Sequence, residues 1–247
     1  MSPQDIRVLE DRLGHPFRDQ SLLQQALTHR SYLNEHSDFP LTHNERLEFL
    51  GDAVLELIVT EHLYANYANP EGDLTNWRAA LVNAKTLSGI AKDLQFEDYL
   101  LLSKGESRDK ESKARMIILA NAIEAIIGAI YLDAGMDAAK KFIHRFILSH
   151  LKKILEFELY VDAKSKFQET AQELLGVTPT YKVLEEKGPD HAKEFTVGVF
   201  LDRDLVAVGR GFSKQEAQVA AAEAGLDAKN WRTQQMPRAP KPAEPPA

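Results

Sequence analysis

The spacing of apolar residues changes once along this chain, and that change sets the architecture. Up to about residue 158 they recur only at helical spacing, with no period-2 segment. Ile6, Leu9 and Leu13 follow Pro3, and Leu22, Leu23, Ala26 and Leu27 follow Asp19. A long helix is expected from Thr42 or Asn44 to about Tyr67, with Leu47, Leu50, Val54, Leu57 and Ile58 as its core stripe. Another starts after Asp73 or Thr75 and carries Leu81, Leu87 and Ile90. Residues 104–115 (KGESRDKESKAR) read as a charged loop, and helices over 116–134 and 138–157 close the region. After Tyr160 come a helix over about 164–175, strand-like segments near 180–186, 194–201 and 205–210, and an alanine-rich helix from Ser213 to about Ala228. The expected fold class is an all-α domain over residues 1–158, then a small α+β domain of order α-β-β-β-α over 161–230. The Pro/Ala-rich residues 231–247 are expected to be disordered.

Composition removes several function classes. With 44% hydrophobic and 27% charged residues among 247, a packed core is expected and global disorder is not. The absence of cysteine excludes a disulfide framework, a thiolate metal site and a cysteine nucleophile. The first ten residues carry no basic-then-apolar pattern, so no secretory leader is expected. The longest uncharged apolar run, residues 125–132, is far short of the roughly 20 residues that span a bilayer. A soluble cytoplasmic protein is the expectation. The net charge of −7 opposes general attraction to nucleic acid, so any such site must be local or work through metal ions.

The strongest local signal is NERLEFLGD, residues 44–52. Glu45, Glu48 and Asp52 stand at i, i+3 and i+7 and share one helical face. Such acids repel one another unless a cation lies between them, and a hard divalent ion such as Mg²⁺ takes carboxylate oxygens. Spacing alone favours a solvated acidic face without a role. Gly51 costs about 1 kcal/mol inside a helix, which implies that something approaches closely there. Asn121 and Glu124 lie at i, i+3 in a helix that is otherwise apolar, followed by Gly128 and Ala129, which permit tight helix contact. A carboxylate in such a run is rarely fully buried unless paired or metal-bound. A di-iron bundle needs Glu-x-x-His pairs, and the chain has none.

NERLEFLGD resembles the signature motif of the ribonuclease III family. ALTHRSY (26–32), EGD (71–73) and NAIEAIIGAIYLD (121–133) match the same family in order and spacing, and the resemblance spans residues 5–228. It implies a homodimeric helical endonuclease domain that cuts double-stranded RNA with Mg²⁺. The implied products carry 5′-phosphate and 3′-hydroxyl ends, and the implied role is rRNA and mRNA processing. By motif position, Glu45, Glu48, Asp52 and Glu124 form the catalytic set. Glu48, Asp52, Asn121 and Glu124 would hold the metal, and Glu45 would help to place the RNA. Phe49 would plug into the partner subunit, and Glu71 matches an outer acidic position. Asn121 departs from the pattern, which opens this motif with Asp. An amide oxygen still coordinates a hard cation but brings no charge. The alternative is therefore a non-catalytic double-stranded RNA-binding regulator with a metal site impaired by Asn121.

In the second domain, Ser165, Gln168, Glu169 and Gln172 form a polar face opposite Phe167, Ala171, Leu174 and Leu175. With the turn at 188–191 and the helix start at Lys214, the order α-β-β-β-α resembles a double-stranded RNA-binding domain. Such domains read A-form shape across two minor grooves and the phosphates between. The resemblance places Ser165, Gln168, Glu169 and Gln172 at one minor groove, His191 at the next and Lys214 at phosphate. Residues 161–230 hold nine Lys and Arg against twelve Asp and Glu, so one copy should bind weakly and a dimer's two copies should compensate. His29 is expected to be a structural hydrogen-bonder, and His43, His62, His144 and His150 show no clustered partners in the sequence. Tyr64, Trp77 and Tyr131 read as core or interface aromatics.

Overall fold

The computed structural model describes residues 3–110, 112–156, 160, 162–189 and 193–231, with backbone alone for 3–5. These residues fall into two compact units, one up to residue 156 and one from residue 160.

The first unit is helical: α1 (Pro3–Leu13), α2 (Gln20–Ala26), α3 (Arg30–Glu35), α4 (Glu45–Asn66), α5 (Glu71–Val82), α6 (Ala84–Asp93), α7 (Lys104–Arg108), α8 (Lys113–Ala134), α9 (Met136–Phe146) and α10 (Leu151–Glu156). Short 3₁₀ turns occupy Glu97–Tyr99 and Leu148–His150. The axis is α8, wrapped by α2, α4, α6 and α9. Leu119, Ile123, Ile126, Ile127 and Ile130 are fully enclosed, as an all-round apolar helix requires. By length and composition α8 would also suit a membrane span, but here the surrounding helices bury it. Its ends are set locally. Ser112 Oγ accepts from Arg115 N–H at 3.1 Å, and Gly135, at φ +80°, ends the helix. Buried Arg115 pairs with Glu97 at 2.8 Å, tying the start of α8 to the turn beside it.

Several sequence expectations are corrected. The charged stretch 104–115 is not one loop: Ser103 caps α7, and Ser112 starts α8 at Lys113 rather than residue 116. The helix expected to carry Leu81, Leu87 and Ile90 is two, parted at Asn83, whose extended backbone and side chain start α6. The helix expected over 138–157 is α9 and α10 with a 3₁₀ turn between, and no Gly or Pro marks that break. Helix α3 was not anticipated; it buries no residue and starts on a His29 cap. Leu57 is 56% exposed, so the buried stripe of α4 is Leu47, Val54, Leu55, Ile58, Val59 and Leu63 instead.

The second unit runs α11 (Ala163–Leu175), β1 (Thr180–Lys187), β2 (Glu194–Leu201), β3 (Asp204–Gly211) and α12 (Lys214–Ala228). The sheet is antiparallel in the order β1-β2-β3, with Val197 opposite Val183 and Gly209. Phe167 and Ala171 of α11 meet Val197, Val199 and Leu201 of β2 and Ala217, Ala221 and Leu226 of α12. The alanines have a reason: a Cβ at Gly209 would stand 2.0 Å from Ala221 N, so α12 lies directly on the β3 backbone. Leu174 and Leu175, expected inward, are half-exposed, because α11 turns only Phe167, Thr170 and Ala171 fully inside. Trp231 packs on Phe167 with ring centroids 5.2 Å apart. The expected disordered tail lies, from residue 232 on, outside the described residues.

Candidate active site

The site forms where α4 crosses α8. Asn44 fixes the start of α4: its N–H donates to Thr28 O at 2.9 Å, and its buried side-chain amide donates to Ala26 O at 3.2 Å. Glu45 and Glu48 then fall in the first turn of α4, where the helix dipole favours negative charge. One turn on, Gly51 meets α8. A Cβ there would stand 1.7 Å from Glu124 O, and a Cβ at Gly128 would stand 2.2 Å from Leu47 O. Each glycine thus admits the other helix's backbone, and this close approach brings Glu124 and Asn121 to Glu48 and Asp52.

The electrostatics follow from that crossing. Burial, then Asp52, Glu48 and Glu56, push the Glu124 carboxyl up to about 7. Glu48 is raised as well, by burial first and then by Glu45 and Asp52, while the facing Asn121 amide works the other way. Three carboxylates and an amide, all hard oxygen donors, thus share one acidic recess. Among the described residues, no three Asp, Glu or His side chains stand, as placed, at ligating distance of one point. The donor chemistry and the unbalanced negative charge fit an oxygen-preferring divalent cation.

The other expected site residues lie around or away from this recess. Glu45 is at its edge, where Arg30 Nη1 (3.4 Å) and His43 Nδ1 (3.7 Å) reach its carboxylate. His43 stands near Glu45, two residues along, but its buried Nδ1 makes no hydrogen bond among the described residues. Phe49 faces outward, 82% exposed. Glu71 accepts from Thr75 Oγ1 at 2.9 Å and lines an apolar cleft with Tyr64, Tyr67 and Arg78, separate from the acidic recess. Tyr64 is 81% exposed and not core, whereas Trp77 is buried. His29 is structural, as expected: its Nδ1 accepts from Ser31 N–H. His62 and His144 are not isolated either, since the packing of α9 on α4 sets their rings 5.1 Å apart, edge to face. Sequence reasoning missed Glu56, one turn beyond Asp52; it adds to the field on Glu124 and pairs with Arg78 at 3.1 Å.

In the second unit, Ser165, Gln168, Glu169 and Gln172 all lie on the exposed side of α11. Ser165 N–H donates to Asp162, which caps the helix, and Gln172 Nε2 donates to Thr178 Oγ1 at 3.2 Å. Lys214 opens α12 behind the Ser213 cap and pairs with Glu186 at 3.3 Å. His191 lies outside the described residues.

Comparison with known proteins agrees with both units. A Ribonuclease-III-like family profile matches residues 19–151, and a Double-stranded RNA binding motif profile matches residues 163–228. The chain is 43% identical to Ribonuclease 3 of Streptococcus gordonii over 224 residues, covering 90% of this chain and 96% of that protein. It is 43% identical to Ribonuclease 3 of Oceanobacillus iheyensis over 227 residues, covering 92% and 99%. The crystal structure of the nuclease domain of ribonuclease III from Campylobacter jejuni matches at TM-score 0.50 and 42% identity, covering 60% of this chain and 96% of that one. A helical nuclease unit followed by a double-stranded RNA-binding unit defines the class. The chain belongs to the ribonuclease III family, and it is an endoribonuclease for double-stranded RNA.

The raised Glu124 carboxyl makes stability depend on pH. An acid whose folded pKa exceeds its unfolded value stabilises fully below the unfolded value, and that contribution is lost as pH rises through the folded one. For Glu124 the window runs from 4.5 to about 7. In EDTA, the melting temperature of Glu124→Gln should therefore gain several degrees on the natural chain between about pH 5 and pH 8. Thermal melts of both proteins check this; parallel pH profiles would mean that Glu124 does not carry the strain.

Proposed function

We propose that the chain cuts double-stranded RNA as a Mg²⁺-dependent, cytoplasmic homodimer, leaving 5′-phosphate and 3′-hydroxyl ends. Ribosomal and messenger RNA precursors are the substrates that the family resemblance implies. The observation that carries the metal-dependent reading is the recess at the crossing of α4 and α8, where Glu48, Asp52 and Glu124 oppose one another's charge. Glu48, Asp52, Asn121 and Glu124 would hold the ion. When bound, Mg²⁺ supplies a water of lowered pKa and charge neutralisation at the phosphate. The protein's own part is to position. Gly51 and Gly128 set the spacing of the carboxylates, and the Asn121 amide keeps Glu48 oriented. Glu45, beside Arg30 and His43, would present an edge to the RNA. No side-chain nucleophile is needed.

The homodimer reading rests on α4. Phe49, Leu57 and Tyr64 are all more than half exposed along its outward side, and an apolar surface of this kind marks a protein contact. The RNA reading rests on the exposed polar side of α11 and on Lys214. That unit is acidic overall, so two copies in a dimer supply the binding that one lacks. The test is direct: long duplex RNA is incubated with the pure chain in Mg²⁺ and in EDTA. Discrete short duplexes with 5′-phosphates, in Mg²⁺ only, support the proposal; intact RNA in both overturns it.

Position 121 allows a finer check. Aspartate there would add a fourth negative charge to the recess. At an effective dielectric near 20, unit charges about 4 Å apart interact by several kcal/mol, much of it offset by repulsion among the acids. A net gain of about 1 kcal/mol corresponds to several-fold in Mg²⁺ affinity. Asn121→Asp should therefore reach half-maximal cleavage at several-fold lower Mg²⁺, read from rate titrations at one pH and ionic strength. Superimposable curves would remove position 121 from the site. Cleavage by the Asp variant alone would favour the regulator reading of the natural chain.

A further inference from the structure

At the far end of α8 from the acidic recess, an open cleft of about 730 Å³ lies between the end of α1 and the outer side of α9. Along α8, Glu124 and Ala134 lie about 15 Å apart at 1.5 Å per residue. Arg18, Lys141 and Arg145 line it, with Asp137 as the one acid. Some basic side chains elsewhere pair with carboxylates, as in Arg30–Glu45, Arg78–Glu56, Arg115–Glu97 and Lys140–Glu61. Among the described residues, none of the three cleft cations has an ion-pair partner, nor does Asp137. Lys141 and Arg145 stand at i, i+4 on α9, a like-charge spacing that destabilises a helix.

The cations are also held in place. Asp133 anchors the adjoining segment: it accepts from the N–H groups of Arg18 (3.0 Å) and Asp19 (2.9 Å) and from His15 (3.0 Å). That grip fixes the backbone that carries Arg18. Gly14 adopts φ +68°, and a Cβ on it would stand 2.6 Å from Arg145 Nη1, so the guanidinium lies directly against the glycine. Arg145 also stacks over Phe146 at 4.9 Å. Buried Phe17 and Phe142 back the cleft.

We propose that this cleft binds a phosphate-bearing anion of nucleotide size. The volume lies within the roughly 300–1,000 Å³ of small-ligand sites. Arginine forks match phosphate oxygens in pairs, with lysine as a point charge beside them. Three cations against one acid leave more positive charge than a single carboxylate balances, which suits one or more phosphate groups. These come either from a free nucleotide or polyphosphate, or from the backbone of bound RNA.

The test uses the full chain in EDTA, so that neither cleavage nor the metal site contributes. Calorimetric titration with inorganic pyrophosphate and with ATP should show sub-millimolar binding that weakens as salt rises. Lys141→Gln/Arg145→Gln should lose at least about tenfold in affinity without a fall in melting temperature, and an unchanged rate on short duplex RNA in Mg²⁺ would assign the phosphates to a free nucleotide or polyphosphate. Displacement of pyrophosphate by short duplex RNA, with weaker RNA binding by the double variant, would assign the phosphates to the RNA backbone and keep the site. No binding of either probe at millimolar concentration overturns the proposal, as does undiminished binding by the double variant. Should that variant fold poorly, Arg18→Gln, on the opposite wall, carries the same expectation.

Discussion

Glu124→Gln is expected to cut cleavage by at least about a hundredfold and to leave duplex binding intact. Glutamine keeps the length and one oxygen of the side chain but removes the charge that a bound cation needs. Loss of a residue that merely supports a metal site costs about 10–100-fold, and Glu124 stands closer than that. Its carboxyl feels Asp52, Glu48 and Glu56 together, so its charge acts directly on the recess. Duplex binding should persist, because the polar side of α11 and Lys214 belong to the other unit. Single-turnover cleavage and a gel-shift titration, both at one salt concentration, separate the two effects. A variant that cleaves at the natural rate would remove Glu124 from the site. Parallel loss of binding and cleavage would make its role one of folding. The variant's melting temperature in EDTA distinguishes that case, since relief of repulsion raises it.

What could be read from the sequence divides along physical lines. The shared face of Glu45, Glu48 and Asp52 follows from helical periodicity alone. So does the anomaly of Glu124, a charge in a run that is otherwise enclosed. Gly51 could be recognised as a point of close approach, but not what approaches it. Its partner is a carbonyl 73 residues away, and local spacing carries no information about such packing. For the same reason Arg30 was not tied to Glu45, nor His62 to His144. Glu56 had a signal, four residues beyond Asp52, that an exposed acid on a long helix disguises. Residues 104–115 were hidden by their charge, although Ser103 and Glu106 hold the spacing of a capping box. Leu57, Leu174 and Leu175 show the opposite error. Apolar residues at helical spacing need not face the core, because each helix turns only part of its apolar surface fully inside.

The Gly51–Gly128 contact is the point at which fold and chemistry depend on one another, and Gly51→Ala tests it. The added Cβ would stand 1.7 Å from Glu124 O and 2.8 Å from Gly128 N, both backbone atoms that no rotamer change moves. Relief requires α4 and α8 to part by roughly an ångström or more, opening the most enclosed part of the helical core. Overpacking of this kind costs about 3 kcal/mol or more. At roughly 2–4 °C per kcal/mol for a chain of this size, the melting temperature should fall by about 6–12 °C. The same movement separates Glu48 and Asp52 from Asn121 and Glu124. A shift of about 1 Å in positioned groups can cost a hundredfold in rate. The natural control is Gly89, in the interior of α6, where a Cβ would meet nothing within 4 Å. Gly89→Ala should be neutral or stabilise by up to about 1 kcal/mol, through helix propensity. Thermal melts and cleavage rates on the two variants give the comparison. If Gly51→Ala melts and cleaves like Gly89→Ala, the helices do not meet at Gly51, and the recess that brings the four donors together is not built as described.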